Sequence, residues 1–379
     1  MPSPLIERLR ALCALPGPPG REEAVREAIA AILLPHADRL RQDAFGNLLA
    51  QRLGSEGAPH LLLQCHMDEV AVVVTGVEPG GAVRFDKAGL LANAVFPGRE
   101  IDLLAPDGSL HRGIVHIAGG HQQFLSGDQH PTPAQMWIEV GGLDGAAVRK
   151  LGIGPGTLGV FHGPFAGMPG GAWKSKAVDN RSGCALCAEA FLNAGPLAGR
   201  LKLTAAFCVQ EELGSRGASV LNVTHTMGGH PPDLAIVLDT VLAGGPAGTP
   251  DGQALRMGAG PALRRYDHHP ITFLGHIAPA PLAEWVKETA RAAGAPLQED
   301  AVANTFTDAA TLSRSLPGGL PVVNLNLPRR FAHSPVEMFL ESDLEALSAL
   351  LGALIRRVAE GDFPVLARDY KGRSRSAFG

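Results

Sequence analysis

The chain has 379 residues and a formal net charge of −4, with 45% hydrophobic and 18% charged residues. That composition buries a core and excludes a disordered chain, and the length suits one large domain plus a smaller one. There is no basic run and no interleaving of basic and aromatic residues, which excludes nucleic acid as the main partner.

Residues 4–15 place Leu5, Ile6, Leu9 and Leu12 at helical spacing, interrupted by Glu7, Arg8 and Arg10. They predict an amphipathic helix rather than a signal peptide, which needs an unbroken apolar stretch. A turn rich in Pro and Gly over 16–20 leads to a helix over about 21–34. Glu22 and Glu23 sit in its first turn, where the helix dipole favours acids. The apolar run at 60–65 predicts a buried strand. From about 70 to 164 the character changes to short β runs, at 71–77, 101–104, 114–117 and 136–140. Turns such as Glu78-Pro-Gly-Gly81 and Pro106-Asp-Gly-Ser109 separate them, which predicts a small β-barrel. The stretch 121–133 fits no element.

Beyond the insertion, strands at 201–209, 234–238, 271–274 and 322–327 alternate with helices at 182–192, 215–221, 281–293 and 342–360. This alternation predicts an α/β fold with a mostly parallel sheet and helices on both faces. The chain therefore divides into a discontinuous α/β domain, 1–69 and 165–379, and an inserted β-rich domain, 70–164. No segment approaches the roughly 20 apolar residues that span a bilayer, so no membrane partner is expected. The five cysteines, Cys13, Cys65, Cys184, Cys187 and Cys208, are expected to be reduced core thiols in a cytoplasmic protein. Cys184 and Cys187 have CxxC spacing, but no second pair completes a structural metal site.

Five short motifs carry chemistry. His66-Met-Asp68-Glu69 follows the strand ending at Cys65, where ligands gather in open α/β sheets. An imidazole there suits a transition metal, and Asp68 is placed to orient it. Asp179 precedes a helix and reads either as an N-cap or as a carboxylate whose two oxygens could bridge two cations. Glu211 and Glu212 follow the strand 201–209, and paired acids at the end of an apolar strand repel each other unless neutralised. Their side chains diverge, so one can ligate a metal while the other acts on water. Asp239 closes the strand 234–238, and His333 precedes Ser334-Pro335, which shape a turn. Mixed nitrogen and oxygen ligands suit zinc, cobalt or manganese better than calcium or magnesium.

Four motifs together resemble the tetrahedral (TET) aminopeptidases, which include glutamyl, leucyl, lysyl and deblocking enzymes of the co-catalytic zinc exopeptidase clan. They are His66-Met-Asp68-Glu69-Val70, Ser175-Lys-Ala-Val-Asp179-Asn-Arg-Ser-Gly183, Gln210-Glu211-Glu212-Leu-Gly-Ser-Arg-Gly217 and His333-Ser-Pro-Val-Glu337. The likeness spans essentially the whole chain, including Leu15-Pro-Gly17 and Phe306-Thr-Asp308-Ala309. It implies a two-metal aminopeptidase acting on peptides with a free N-terminus. His66, Glu212, Asp239 and His333 would be terminal ligands and Asp179 the bridging one, with Glu211 the general base and Asp68 the partner of His66. The inserted domain would be PDZ-like and serve assembly into dimers and twelve-subunit shells. Two positions depart from the family pattern. Asn180 stands where Asp is common, and Phe306 where Gly is common before Thr307. The same ligand set could serve a deacylase acting on N-blocked amino acids or peptides, and a non-catalytic assembly protein could retain it. The presence of Glu211 argues against the last.

Overall fold

The computed structural model describes residues 2–117, 131–221, 231–246 and 253–366. The chain opens with helices α1 (Pro4–Cys13) and α2 (Glu23–Leu33), then strands β1 (Arg39–Gln42), β2 (Leu48–Arg52) and β3 (His60–His66). Strands β4 (Ala71–Val77), β5 (Val83–Ala88), β6 (Glu100–Leu104), β7 (Leu110–Ile117) and β8 (Met136–Glu139) follow. Helix α3 (Gly145–Lys150) then precedes β9 (Leu158–Phe161). Next come β10 (Ala166–Met168), β11 (Ala172–Ser175), α4 (Val178–Asn193), β12 (Lys202–Cys208), α5 (Arg216–Val220) and β13 (Leu234–Leu242). The last third holds β14 (Ala262–His269), β15 (Leu274–Ile277), α6 (Ala280–Ala292), β16 (Gln298–Ala303) and α7 (Ala309–Leu312). It ends with β17 (Val322–Arg330), β18 (Glu337–Leu340) and α8 (Glu341–Ala359).

Strands β12, β3, β13 and β17 lie side by side and parallel at the centre of a twelve-stranded sheet. Both faces of this centre are buried, which is why its strands read as unbroken apolar runs. On β3, Leu61, Leu63 and Cys65 pack toward α1, α2, α4, α6 and α8, while Leu62 faces Ala218 of α5 and Leu312 of α7. Helices thus cover both faces, as predicted.

The sheet as a whole is mixed, which corrects the expectation of a mostly parallel one. Outside the centre, β1–β2–β12, β17–β18–β11–β10, β15–β14 and β14–β17 are all antiparallel pairs. The periodic alternation that suggested a parallel sheet comes only from the helix-covered strands. The polar strands β14 and β16 carry no apolar run, so nothing in their sequence announces them. The strand expected at 271–274 is shifted to Leu274–Ile277, and Ile271 and Phe273 lie exposed in the preceding turn.

Strands β4-β5-β8-β7-β6-β9 form a closed barrel. Alternate residues such as Val72, Val74, Ile101 and Leu103 fill its interior, the period-2 signature of strands with one buried face. Of the unassigned stretch 121–133, residues 121–130 lie outside the described residues. All five cysteines are buried and free, with Cys65 Sγ 3.8 Å from Cys184 Sγ. Among the described residues, no helix is long and apolar enough to cross a membrane.

Candidate active site

Because β3, β12, β13 and β17 run parallel, their carboxyl ends share one edge of the sheet. His66 is the last residue of β3, and Glu211 and Glu212 follow β12. Asp239 lies in β13, Asp179 at the irregular start of α4 and His333 in the loop after β17. All seven residues singled out in the sequence converge here.

The loop carrying the paired acids is held from three sides. Asp68 accepts the backbone N–H of Glu211 at 2.9 Å and of Glu212 at 3.0 Å, one on each carboxylate oxygen. Glu22 accepts the N–H of Gln210 at 3.2 Å, which ties the loop to the chain's opening turn. Gly217 closes it: a Cβ there would lie 2.3 Å from Val209 O and 2.5 Å from Asn47 Oδ1, so only glycine fits. The His66 loop is anchored by a buried ion network in which Glu69 meets Lys176 Nζ at 2.7 Å and Arg181 at 3.1 Å. Ala177, Gln210 and His333 hold φ values of 55°, 56° and 54°, left-handed backbone that costs about 1–3 kcal/mol each and clusters at functional sites.

Two ligand groups emerge. His66, Asp179 and Asp239 offer atoms that all lie within 4.8 Å of one another, as do Asp179, Glu212 and His333. Asp179 belongs to both through different oxygens: Oδ1 is 3.3 Å from His66 Nε2, and Oδ2 is 3.5 Å from His333 Nε2. Glu212 Oε1 is 3.5 Å from His333 Nε2, whereas Glu211 Oε2 lies 3.9 Å from His66 Nε2 and belongs to neither group. Asp179 Oδ1 and Glu212 Oε1 are buried without a hydrogen-bond partner, which is the condition of atoms awaiting a cation. The mixed donor set fits zinc, cobalt or manganese. His66 Nδ1 sits 3.3 Å from Asp68 Oδ1, close enough for Asp68 to orient the ring.

Sequence reasoning assigned no role to three groups that hold this cluster. Glu337 accepts the N–H of Asp179 at 2.9 Å and of His333 at 2.8 Å. Arg329 bonds Asp179 Oδ2 and donates to Thr240 Oγ1 at 2.9 Å. Leu90, from the segment leading out of barrel strand β5, accepts a hydrogen bond from His333 Nδ1 at 2.7 Å. The stretch between β5 and β6 therefore touches the site directly. Glu337 was visible within a quoted motif, but a backbone carbonyl such as that of Leu90 leaves no signal in a sequence.

In the metal-free protein the electrostatics are those of buried acids short of positive charge. Burial, with Asp308, Glu212 and Asp239 nearby, holds the Glu211 carboxyl well above its usual range. Glu212 is pushed up to about 8 by burial and by Asp179, and burial with Asp179 raises Asp239. Burial alone would lower His66 and raise Asp179, but Asp179, Asp239 and Asp68 together hold His66 well above its usual range, and Arg329, then His333 and His66, hold Asp179 well below its own. His333 rises to about 9 against its burial because Glu212 and Asp179 face it.

These shifts set a stability trend. Glu212 and His333 carry folded values above their ordinary 4.5 and 6.5, so their contributions are lost as pH rises toward about 8 and about 9. His276, depressed to about 4 by burial, acts in the opposite sense only below 6.5. The chelated protein is therefore expected to melt at lower temperature at about pH 8 than at about pH 6.5. Calorimetry showing a rise over that window would contradict the assignment.

The cluster opens into a cavity of about 760 Å³ whose walls include Leu90, Val241, Leu255, Arg264, Val302 and Phe306. A sequence profile of the M42 glutamyl aminopeptidases matches residues 46–350. The chain is 30% identical over 363 residues to the putative aminopeptidase FrvX of Escherichia coli, covering 94% of this chain and 96% of that protein. Among solved structures it is similar to an aminopeptidase from the archaeon Desulfurococcus kamchatkensis. The identity is 27% and the TM-score 0.85, covering 96% of this chain and 99% of that one. It is also similar to a Pyrococcus horikoshii TET peptidase that can assemble into a tetrahedron or a large octahedral shell. There the identity is 28% and the TM-score 0.79, covering 93% of this chain and 99% of that one.

Proposed function

The chain belongs to the M42 glutamyl aminopeptidase family, and on that premise we propose a dinuclear metal site that removes amino acids singly from peptide N-termini. The observation that carries the second ion is Asp179, which faces one ligand group with each oxygen. His66 and Asp239 would complete one site, and Glu212 and His333 the other. Two divalent ions bound there would polarise the scissile carbonyl, acidify water and anchor the free α-amine. Glu211, outside both groups and facing the cavity, takes the proton from the attacking water and returns it to the departing peptide nitrogen. Asp68 keeps Glu211 in place through its backbone N–H and orients His66. Dialysis against EDTA should abolish hydrolysis of aminoacyl p-nitroanilides, and zinc, cobalt or manganese should restore it. Full activity in protein shown by elemental analysis to be metal-free would sink this reading.

The division into a catalytic part, 1–69 and 165–379, and a PDZ-like insertion, 70–164, belongs to the same proposal. The closed barrel supports it. The shells formed by the similar P. horikoshii peptidase support assembly of this chain beyond a dimer, up to a dodecamer. Light scattering should find a species larger than a dimer. A monomer throughout the micromolar range would remove the assembly role and leave the active-site assignment standing.

A further inference from the structure

The two ligand groups meet on Asp179, but not on equal terms. Oδ1, the oxygen facing His66, is buried without a hydrogen-bond partner. Oδ2, the oxygen facing His333, already accepts a hydrogen bond from Arg329 Nη2. The guanidinium is fixed there by the rest of its fork. Its Nε donates to Thr240 Oγ1 at 2.9 Å and lies 3.7 Å from Glu337 Oε1, and the whole side chain is buried near the end of β17. The remaining donor, Nη1, is buried and has no hydrogen-bond partner, so Arg329 holds Asp179 by a single bond and not by a closed bidentate pair. A guanidinium does not lose its proton in a protein, so this positive charge is permanent.

We propose that Arg329 is a resident cation at the second ion site, formed by Asp179, Glu212 and His333, and that it loosens the ion bound there while the ion at His66 and Asp239 stays tight. The inference rests on the dinuclear reading and adds to it what sets the second ion's affinity. A carboxylate oxygen has two lone pairs, so an ion and Arg329 can share Oδ2. Sharing brings two cations onto one oxygen, in a buried place where salt and water screen them poorly. The repulsion falls mainly on the second ion, because Oδ1 carries no such contact. Enclosure works in the same direction, since the His333 side chain is 23% exposed and that of His66 only 2%.

The arrangement also serves the protein when the second site is empty. Arg329 then supplies Asp179 and Glu337 with a counter-charge, so the two acids do not face each other unneutralised. Asp179 does not depend on Arg329 for its place, because Glu337 accepts its backbone N–H at 2.9 Å. Removing the charge while keeping a donor should therefore tighten the second ion rather than misplace its ligand.

The test titrates the full-length protein, stripped with EDTA, with cobalt. Binding steps are counted by calorimetry and by the visible absorption of bound cobalt, neither of which needs turnover. The wild type should take two ions, the second about 10–100-fold more weakly, the range over which groups behind a ligand move metal affinity. Arg329→Gln keeps a hydrogen-bond donor and removes the charge, so its second step should tighten by a factor in that range while the first changes little. Arg329→Lys keeps the charge, and its second step should stay as weak as in the wild type. A purely structural arginine predicts otherwise, with both variants loosening the second ion. Should the metal-free Arg329→Gln protein not stay folded, stripping the cobalt-loaded variant with a graded chelator reads the same step by release. A second ion held more weakly by Arg329→Gln than by the wild type, or tightened equally in both variants, would overturn the inference and leave the dinuclear reading intact. Wild type and variants that all saturate at one ion would remove both.

Discussion

Glu211→Gln is expected to lower kcat by roughly 10²–10⁴-fold, or more, while bound metal stays near the wild-type level. The substitution keeps shape and removes only the capacity to hold a proton. Glu211 stands outside both ligand groups, with its carboxylate 3.9 Å from His66 and its backbone held by Asp68. Substrate should still bind, so KM should move far less than kcat. The neighbouring variant is the control. Glu212→Gln replaces an anionic donor of the second group with a neutral one, so metal content should fall. The melting temperature should then depend on added metal, because an ion stabilises the folded state only where its free concentration exceeds its dissociation constant. Elemental analysis and kcat measured on the two variants side by side separate the roles. Metal lost from Glu211→Gln and retained by Glu212→Gln would reverse them, and an unchanged kcat in both would place the chemistry elsewhere.

Asp179→Asn should be the most damaging single change. Asp179 alone belongs to both ligand groups, so the substitution weakens both sites, whereas Glu212→Gln weakens one. It also withdraws one of the two carboxylates that meet buried Arg329, the other being Glu337 at 3.7 Å, and breaking a buried ion pair from one side costs at most about 3–5 kcal/mol. The expected result is less than one ion retained per chain after dialysis, no measurable turnover and a melting temperature that added zinc no longer raises. Two ions retained with normal turnover would show that Asp179 is no shared ligand, and the dinuclear proposal would fall with it.

Most of the ligand-type residues were legible in the sequence because they interrupt or follow an apolar strand. His66, Asp239 and the Glu211–Glu212 pair stand beside the runs of β3, β13 and β12, and buried strand ends tolerate such groups only where something neutralises them. The helices covering the sheet were legible too, through the spacing of residues such as Leu5, Ile6, Leu9 and Leu12. β14 and β16 were not. Lining the cavity and sitting outside the apolar centre, they are rich in polar residues and carry no apolar run, so they resemble a loop.

By itself the sequence determined an α/β chain with an inserted barrel and a set of residues of metal-ligand type, since local spacing and strand-end position are properties of the chain. Only the tertiary structure decided which oxygen of Asp179 faces which histidine and that Leu90 O reaches His333. It also decided that Arg264 and Asp300, 36 residues apart, cancel each other in the cavity wall. These are relations between elements distant in sequence, fixed by strand register and loop closure, and neither leaves a trace in local composition.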